Sequence, residues 1–555
     1  MDFKKEIIKE LKKLVKVDIS LTIPKNAEHG DFAFPCFNIG KNPVEEAKKL
    51  EKKFKSKYIT KVQAVGPFLN FFVNNNIVVE NTLKEINKKQ ELYGIQKLSN
   101  EKIVIEFPSP NTNKPLHLGH VRNMVLGTGV SNLLKAIGNK IYHVNLVNDK
   151  GVHICKSMLA YQKYGKNKKP DIKTDHFVGQ YYVKFDEEVK KNAQLETEAQ
   201  DMLNAWEQGD KEVVKLWKKM RNWALKGMDE TYAKFNLDFN KVYFESEIYY
   251  KGREVVKKAL KKGLLYEKEG AVFAPLKDLQ DKVLLRSDGT TVYMTQDLYL
   301  AEQKIKDFKA SSSIYVVASE QNFHFKQLFS ILELLGNSWA KKCYHLSYGM
   351  VLLPDGKMKS REGTVVDADN LIDEVVTLAS DEIKKRHHLG KKLLDERSRQ
   401  VAMGAIRFYL LKNDPIKDMV YNPKESISFE GETGPYVQYA HARCCAILRK
   451  AKEHNLSVVN TVNHSLFGVA EEIKLLKLLY EFPSVVGKSA NDYKTHHIAN
   501  YLISLAQAFN EFYHKCPVIS EVRDQTKARL LLVDSVRQVL ENGLGLLGIG
   551  APKVM

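Results

Sequence analysis

The sequence predicts an α/β protein in three parts: a parallel-sheet core carrying an insertion, a small α/β domain before it and an all-α bundle after it. Three observations lead there. From about residue 98 to 368, short β-branched runs alternate with apolar residues at helical spacing, the pattern of βαβ units. The alternation lapses between about 161 and 285, where charged helical segments hold Trp206, Trp217 and Trp223, so an insertion between sheet halves is the economical account. Beyond 369 only helical stripes remain. At 555 residues the chain exceeds what one core serves, and three domains, 1–90, 98–368 and 369–555, fit its length.

Taken in order, residues 1–90 open with an amphipathic helix in MDFKKEIIKELKKLVKV, pass a polar loop at 26–31 and a helical segment, and reach strands at 62–65 and 68–73 punctuated by Gly66-Pro67. In the core, Ile103-Val104-Ile105 reads as a strand, 121–137 as a helix stopped by Gly138-Asn139, and 141–147 as the next strand. Asn148-Asp149-Lys150-Gly151 then falls at a strand's carboxyl end, where ligands collect in parallel sheets. Further strands are expected at 291–293, 314–317 and 348–353. Apolar stripes predict helices through 371–411, 435–454, 468–487, 495–514 and 526–547.

Composition narrows the class. Hydrophobic residues make up 44% and charged residues 28%, as in a globular protein rather than a disordered or membrane chain. The formal charge of +19 favours a polyanionic partner, although a lysine-rich solvated surface accounts for it equally. Six scattered cysteines without a CxxC pair suggest neither a disulfide framework nor a cysteine zinc site. With no signal-peptide core and no long uncharged segment, a cytoplasmic protein without membrane association is expected.

Two stretches carry chemistry. EFPSPNTNKPLHLGHVR, Glu106 to Arg122, leads from strand through loop to helix, which puts His117, Gly119 and His120 at a helix start, where unpaired amides and the dipole hold phosphate. Their imidazoles can donate to phosphate oxygens and, if protonated, match developing charge; Gly119 leaves room for a flat base. Zinc is not expected, since nothing nearby completes a ligand set for the two histidines. The second stretch, Pro354 to Gly363, sets Lys357, Met358, Lys359, Ser360 and Arg361 in a glycine-flanked loop able to close cations over phosphates.

The HLGH and KMKSR pair resembles the two signature sequences of class I aminoacyl-tRNA synthetases. SPNTNKPLHLGHVR, SDGTTVYMTQDL, ASEQNFHF and FEGETGPYVQYAHAR resemble the arginyl-tRNA synthetases specifically, and HGDFAFPCF, GPFLNFF and LGLLGIGAPKVM extend the similarity to both ends. The resemblance implies a Rossmann-type catalytic domain, a tRNA-binding accessory domain and an anticodon-binding bundle. It implies ATP with Mg2+ as a substrate, L-arginine and tRNA(Arg) as partners, a monomer, and a 2′-OH as acceptor. It also implies that bound tRNA is needed before arginine is activated.

The resemblance further assigns ATP contacts to His117, Gly119, His120, Lys357 and Met358. It assigns an arginine pocket to Glu106, Asn111, Tyr293, Asp297 and Gln321, of which Tyr293 and Asp297 are four apart and would share a helical face. Acids there suit a guanidinium with its five fixed donors. Tyr436, Gln438, Tyr439, His441 and Arg443 are expected to meet anticodon bases, with Asn70 and Phe72 touching tRNA from the N-terminal domain. One departure stands out: the usual Lys-Met-Ser-Lys-Ser has Lys359 at its third position and Ser360 where the second catalytic lysine belongs. Lys114, just before the first signature, is the expected substitute and Lys359 its competitor. The rivals are a class I synthetase for another amino acid, a tRNA-binding protein that has lost catalysis, and a small-molecule nucleotidyl transferase on the same core.

Overall fold

A computed structural model describes residues 3–24, 26–352, 366–386, 388–460 and 462–555. In the N-terminal domain, β1 (Phe32–Pro35), β2 (Ile59–Val65) and β3 (Phe68–Val73) form an antiparallel sheet in the order β1-β3-β2. Helices Phe3–Lys12 and Pro43–Lys53 sit beside it, and their apolar faces meet Leu69 and Phe71 in a small core. The first strand lies next to the segment expected to be loop. It is only four residues long, too short for a clear period-two pattern.

The central sheet has five parallel strands: β4 (Lys102–Glu106), β5 (Lys140–Val147), β6 (Lys241–Phe244), β10 (Ser312–Ala318) and β11 (Tyr344–Tyr348), in the order β11-β10-β4-β5-β6. The order reverses between β4 and β10, so the carboxyl ends of these neighbours open the crevice in which such sheets bind ligands. Helix Leu118–Ala136 connects β4 to β5 and is buried along most of its length, as a crossover on a parallel sheet must be.

The expected insertion is not a single block. Four helices from Val152 to Lys234 form one part, and three strands, β7 (Tyr266–Lys268), β8 (Ala271–Ala274) and β9 (Lys282–Leu285), form an antiparallel sheet further on. Between them β6 returns to the central sheet as its edge, a four-residue strand that charged flanks hide from a periodicity reading. The strand expected at 291–293 is instead a single bridge at Thr291 followed by helix Tyr293–Phe308. The strand expected at 348–353 is divided: β11 stops at Tyr348, and β12 (Val351–Leu352) pairs with β13 (Met419–Val420).

The C-terminal stripes emerge as helices Ala368–Lys384, Lys391–Leu411, Gly434–Glu453, Ala470–Asn491, His496–Lys515 and Arg523–Leu546. They share one core with the central sheet. Helix Ala470–Asn491 also holds the N-terminal domain: Lys477 pairs with Asp31 at 2.7 Å, and the Tyr480 hydroxyl accepts from the Phe3 amide at 3.1 Å. Among the described residues no helix is long and apolar enough to cross a membrane.

Candidate active site

The segment between β4 and helix Leu118–Ala136 is held from below by the turn after β5. Asn148 N–H donates to Pro110 O and Thr112 N–H to Asn148 O, at 2.9 and 3.1 Å. His117 then caps the helix. Its Nδ1 accepts from Gly119 N–H, and His120 Nδ1 accepts from His117 N–H, each at 3.1 Å, with the rings 3.9 Å apart. With both Nδ1 atoms accepting, each ring carries its proton on Nε2. Burial, reinforced by Lys114, pushes His117 down to about 4, and burial beside His117 and Lys114 holds His120 well below its ordinary range. The histidines are therefore neutral Nε2 donors at neutral pH. This corrects the expectation that protonated rings could match charge, because a desolvated imidazolium next to a lysine is disfavoured. Gly119 serves a tighter purpose than room for a base: a Cβ there would stand 3.0 Å from the His117 ring.

Both stems of the second-signature loop are tied to this turn. Leu118 N–H donates to Val366 O and Ala368 N–H to Leu116 O, at 3.0 and 2.9 Å. On the other stem, the buried guanidinium of Arg122 donates to the carbonyls of Gly349, Met350, Pro415 and Lys417. Lys357, Met358 and Lys359 lie outside the described residues.

Lys114 and His117 line a cavity of about 390 Å³ whose far wall is helix Thr174–Val189 of the insertion, with His176 and Lys184. A Cβ on Gly179 of that helix would meet Pro115 at 2.7 Å, so the insertion rests directly on the signature turn. Burial lowers the Lys114 ammonium's pKa, and among the described residues no carboxylate pairs with it. Asp367 lines the same cavity and has a buried Oδ2 without a hydrogen-bond partner. Behind it, atoms of Asp175, His176 and Asp369 lie within 4.8 Å of one another, a spacing suited to a metal. The charge there is already balanced, however, since Lys173 and Lys234 reach Asp369 at 2.7 and 2.6 Å and His176 reaches it at 3.1 Å.

The residues expected to hold arginine come from several elements. Tyr293 begins its helix and is 77% exposed, and Asp297 follows one turn later on the same face. Asn111 is exposed on the loop after β4, and Gln321 is exposed at the end of the short 3-10 helix that follows β10. Glu106, by contrast, is buried at the end of β4, with Oε2 accepting from Lys304 Nζ at 2.5 Å. The pocket acid expected at this position is thus already paired with a lysine of helix Tyr293–Phe308.

Two site residues escaped sequence reasoning. His324, inside ASEQNFHF, shares a hydrogen bond with Asp297 through Nε2 at 2.7 Å. Glu245, at the end of β6, is pushed up to about 7 by burial first and then by Asp149, with a smaller contribution from Asp297. Its signal was present in the sequence, an acid at a strand's carboxyl end, but the strand itself was read as insertion.

The two nucleic-acid clusters divide. In helix Gly434–Glu453, Gln438 and His441 are buried and bind the C-terminal tail at Gly550 O and Pro552 O, both at 2.8 Å, so they do not face an RNA. The Arg443 guanidinium lies 4.8 Å from the Tyr439 ring and 5.2 Å from that of Tyr513, and donates to Asn510, which donates to the Tyr436 hydroxyl. Tyr513 is 41% exposed and was hidden in a stripe read as packing. In the N-terminal sheet Asn70 is buried, while Phe72 is partly exposed beneath Lys61. Phe37 and Phe68 form a more exposed edge-to-face pair, 5.5 Å apart.

Comparison with known proteins agrees with this geometry. A family model described as "tRNA synthetases class I (R), catalytic domain" matches residues 82–423. The parallel sheet, the paired histidines at its first crossover helix and this match define a class I aminoacyl-tRNA synthetase. The "Arginyl tRNA synthetase N terminal domain" model matches 1–73, and the "DALR anticodon binding domain" model matches 437–555. The chain belongs to the arginyl-tRNA synthetase family. It is 45% identical to the arginine–tRNA ligase of Treponema denticola, over 98% of this chain and 96% of that protein, and 42% identical to that of Bacteroides fragilis, over 94% and 92%. The arginyl-tRNA synthetase of Thermus thermophilus superposes with a TM-score of 0.86 at 27% identity, over 100% of this chain and 99% of that one.

Proposed function

We infer that this chain ligates L-arginine to tRNA(Arg) in two steps. In the first, the arginine carboxylate attacks the α-phosphorus of ATP in line, forming arginyl-adenylate and releasing pyrophosphate. In the second, the 2′-OH of the terminal ribose attacks the adenylate carbonyl and AMP leaves. One observation carries the reading: two Nε2 donors sit at the start of the first crossover helix, while Asp297 on helix Tyr293–Phe308 lies near enough to Glu245 at the end of β6 to act on its charge. The first group suits phosphate and the second a guanidinium.

In this reading His117 and His120 donate to phosphate oxygens, adding to the helix amides. Lys114 meets the charge that develops on the departing pyrophosphate, in the cavity shared with the insertion. ATP would arrive as its magnesium complex, which would help neutralise the phosphates that the histidines and Lys114 meet. Asp297, oriented by His324, and Glu245 meet the guanidinium, while Asn111 holds the backbone end of the substrate. Arg443, Tyr439 and Tyr513 offer stacked faces to an unpaired anticodon base. Aminoacylation of tRNA(Arg) with each amino acid in turn tests the reading: arginine alone should be transferred, and transfer of a different amino acid in its place would refute it.

A further inference from the structure

Lys304 is a lysine with no exposed side-chain surface, set beneath a pocket proposed to receive a cation. Its Nζ lies 2.5 Å from Glu106 Oε2 and 3.9 Å from the centroid of the Tyr315 ring. It stands seven residues after Asp297 on the helix that begins at Tyr293. Tyr315 is the register partner of Glu106 on the adjoining strand, so the pair is enclosed between helix and sheet. A buried ion pair stabilises little beyond what apolar residues of similar volume would, so its presence asks for another reason.

We propose that Lys304 is a positioning residue for arginine selection, acting through Glu106; this rests on the function inferred above. Without Lys304, Glu106 would join Asp297 and Glu245 as a third acid, buried and left without its cation. Lys304 cancels that charge and commits Oε2, so that Oε1 is the oxygen left to meet the substrate. The pocket then matches one guanidinium rather than presenting surplus acid.

Steady-state aminoacylation separates this from a structural role. K304M should raise the KM for arginine about tenfold or more and leave the KM for ATP within about twofold, a split that general damage would not produce. K304R should restore most of the arginine affinity. In an E106Q background, K304M should change the arginine KM less than about twofold, and this comparison also holds if K304M alone does not fold. A wild-type arginine KM in K304M, equal losses for ATP and arginine, or an undiminished effect in E106Q would overturn the proposal. Failure of the wild type to charge tRNA with arginine would instead refute the function on which it rests.

Discussion

At the scale of single residues, charge state decides the chemistry. Lys114 is the described cation beside the phosphate turn that no acid neutralises, so Lys114→Ala should lower kcat for adenylate formation by about 10²–10³-fold, in line with removal of one transition-state donor. Lys359→Ala should retain most activity, and the opposite ranking in pyrophosphate exchange would give the role to Lys359. Glu245 has a pKa raised to about 7, and a bound guanidinium favours its ionised form. Arginine affinity should therefore fall as pH drops below 7, by up to about tenfold per pH unit, and Glu245→Gln should weaken binding and flatten that dependence. Isothermal titration with arginine across pH 6–8.5 measures both. The sequence pointed to His117, His120 and Lys114 because they stand together in one motif. Lys304 was illegible because it acquires its meaning from Glu106 on another element, and Glu245 was passed over because its strand was read as insertion.

At the scale of elements, the insertion, the signature turn and the stem of the second-signature loop meet at Asp369. Lys173, Lys234, His176 and Thr231 all contact its carboxylate, joining helices Thr174–Val189 and Lys211–Lys234 to helix Ala368–Lys384. Asp369→Asn removes the anion these groups share, leaving Lys173 only Asp175 and His176 only Asp367, and should destabilise the protein by about 3 kcal/mol in chemical denaturation. The sign of the pH dependence follows from the shifts. Burial raises the Asp369 pKa, but hydrogen bonds from His176, Lys173 and Lys234 outweigh it and hold the group well below the ordinary carboxylate range. Its stabilisation is thus full above about pH 4 and lost on acidification. His176 is raised, chiefly by its bond to Asp369, so its part is full below about pH 6.5 and fades as pH rises through the higher folded value. Denaturation midpoints at pH 5, 6.5 and 8.5 should show the second loss in the wild type and not in His176→Gln. The long helices around this junction were legible, since 3.6-residue periodicity survives over five or six turns. The four-residue strands β1 and β6 were not, because a short strand takes its identity from the neighbours it pairs with.

At the scale of the whole molecule, the proposed function asks the excess positive charge to serve binding of one large polyanion. The KM for tRNA should rise steeply with salt, by several powers of the salt concentration, while the KM for arginine moves little. A weak salt dependence of the tRNA KM would return the +19 charge to a merely solvated surface. The domain order and the parallel core were legible from composition and alternation. How β12 pairs with β13, and how Arg122 binds the carbonyls of both the loop stem and residues 415 and 417, was not, since backbone carbonyls leave no trace in a sequence. That junction joins the signature turn to the start of the helical region. ATP–pyrophosphate exchange, measured with each amino acid with and without tRNA(Arg), tests the central claim most directly. The account predicts exchange with arginine and tRNA together. Exchange with another amino acid and none with arginine plus tRNA would contradict it.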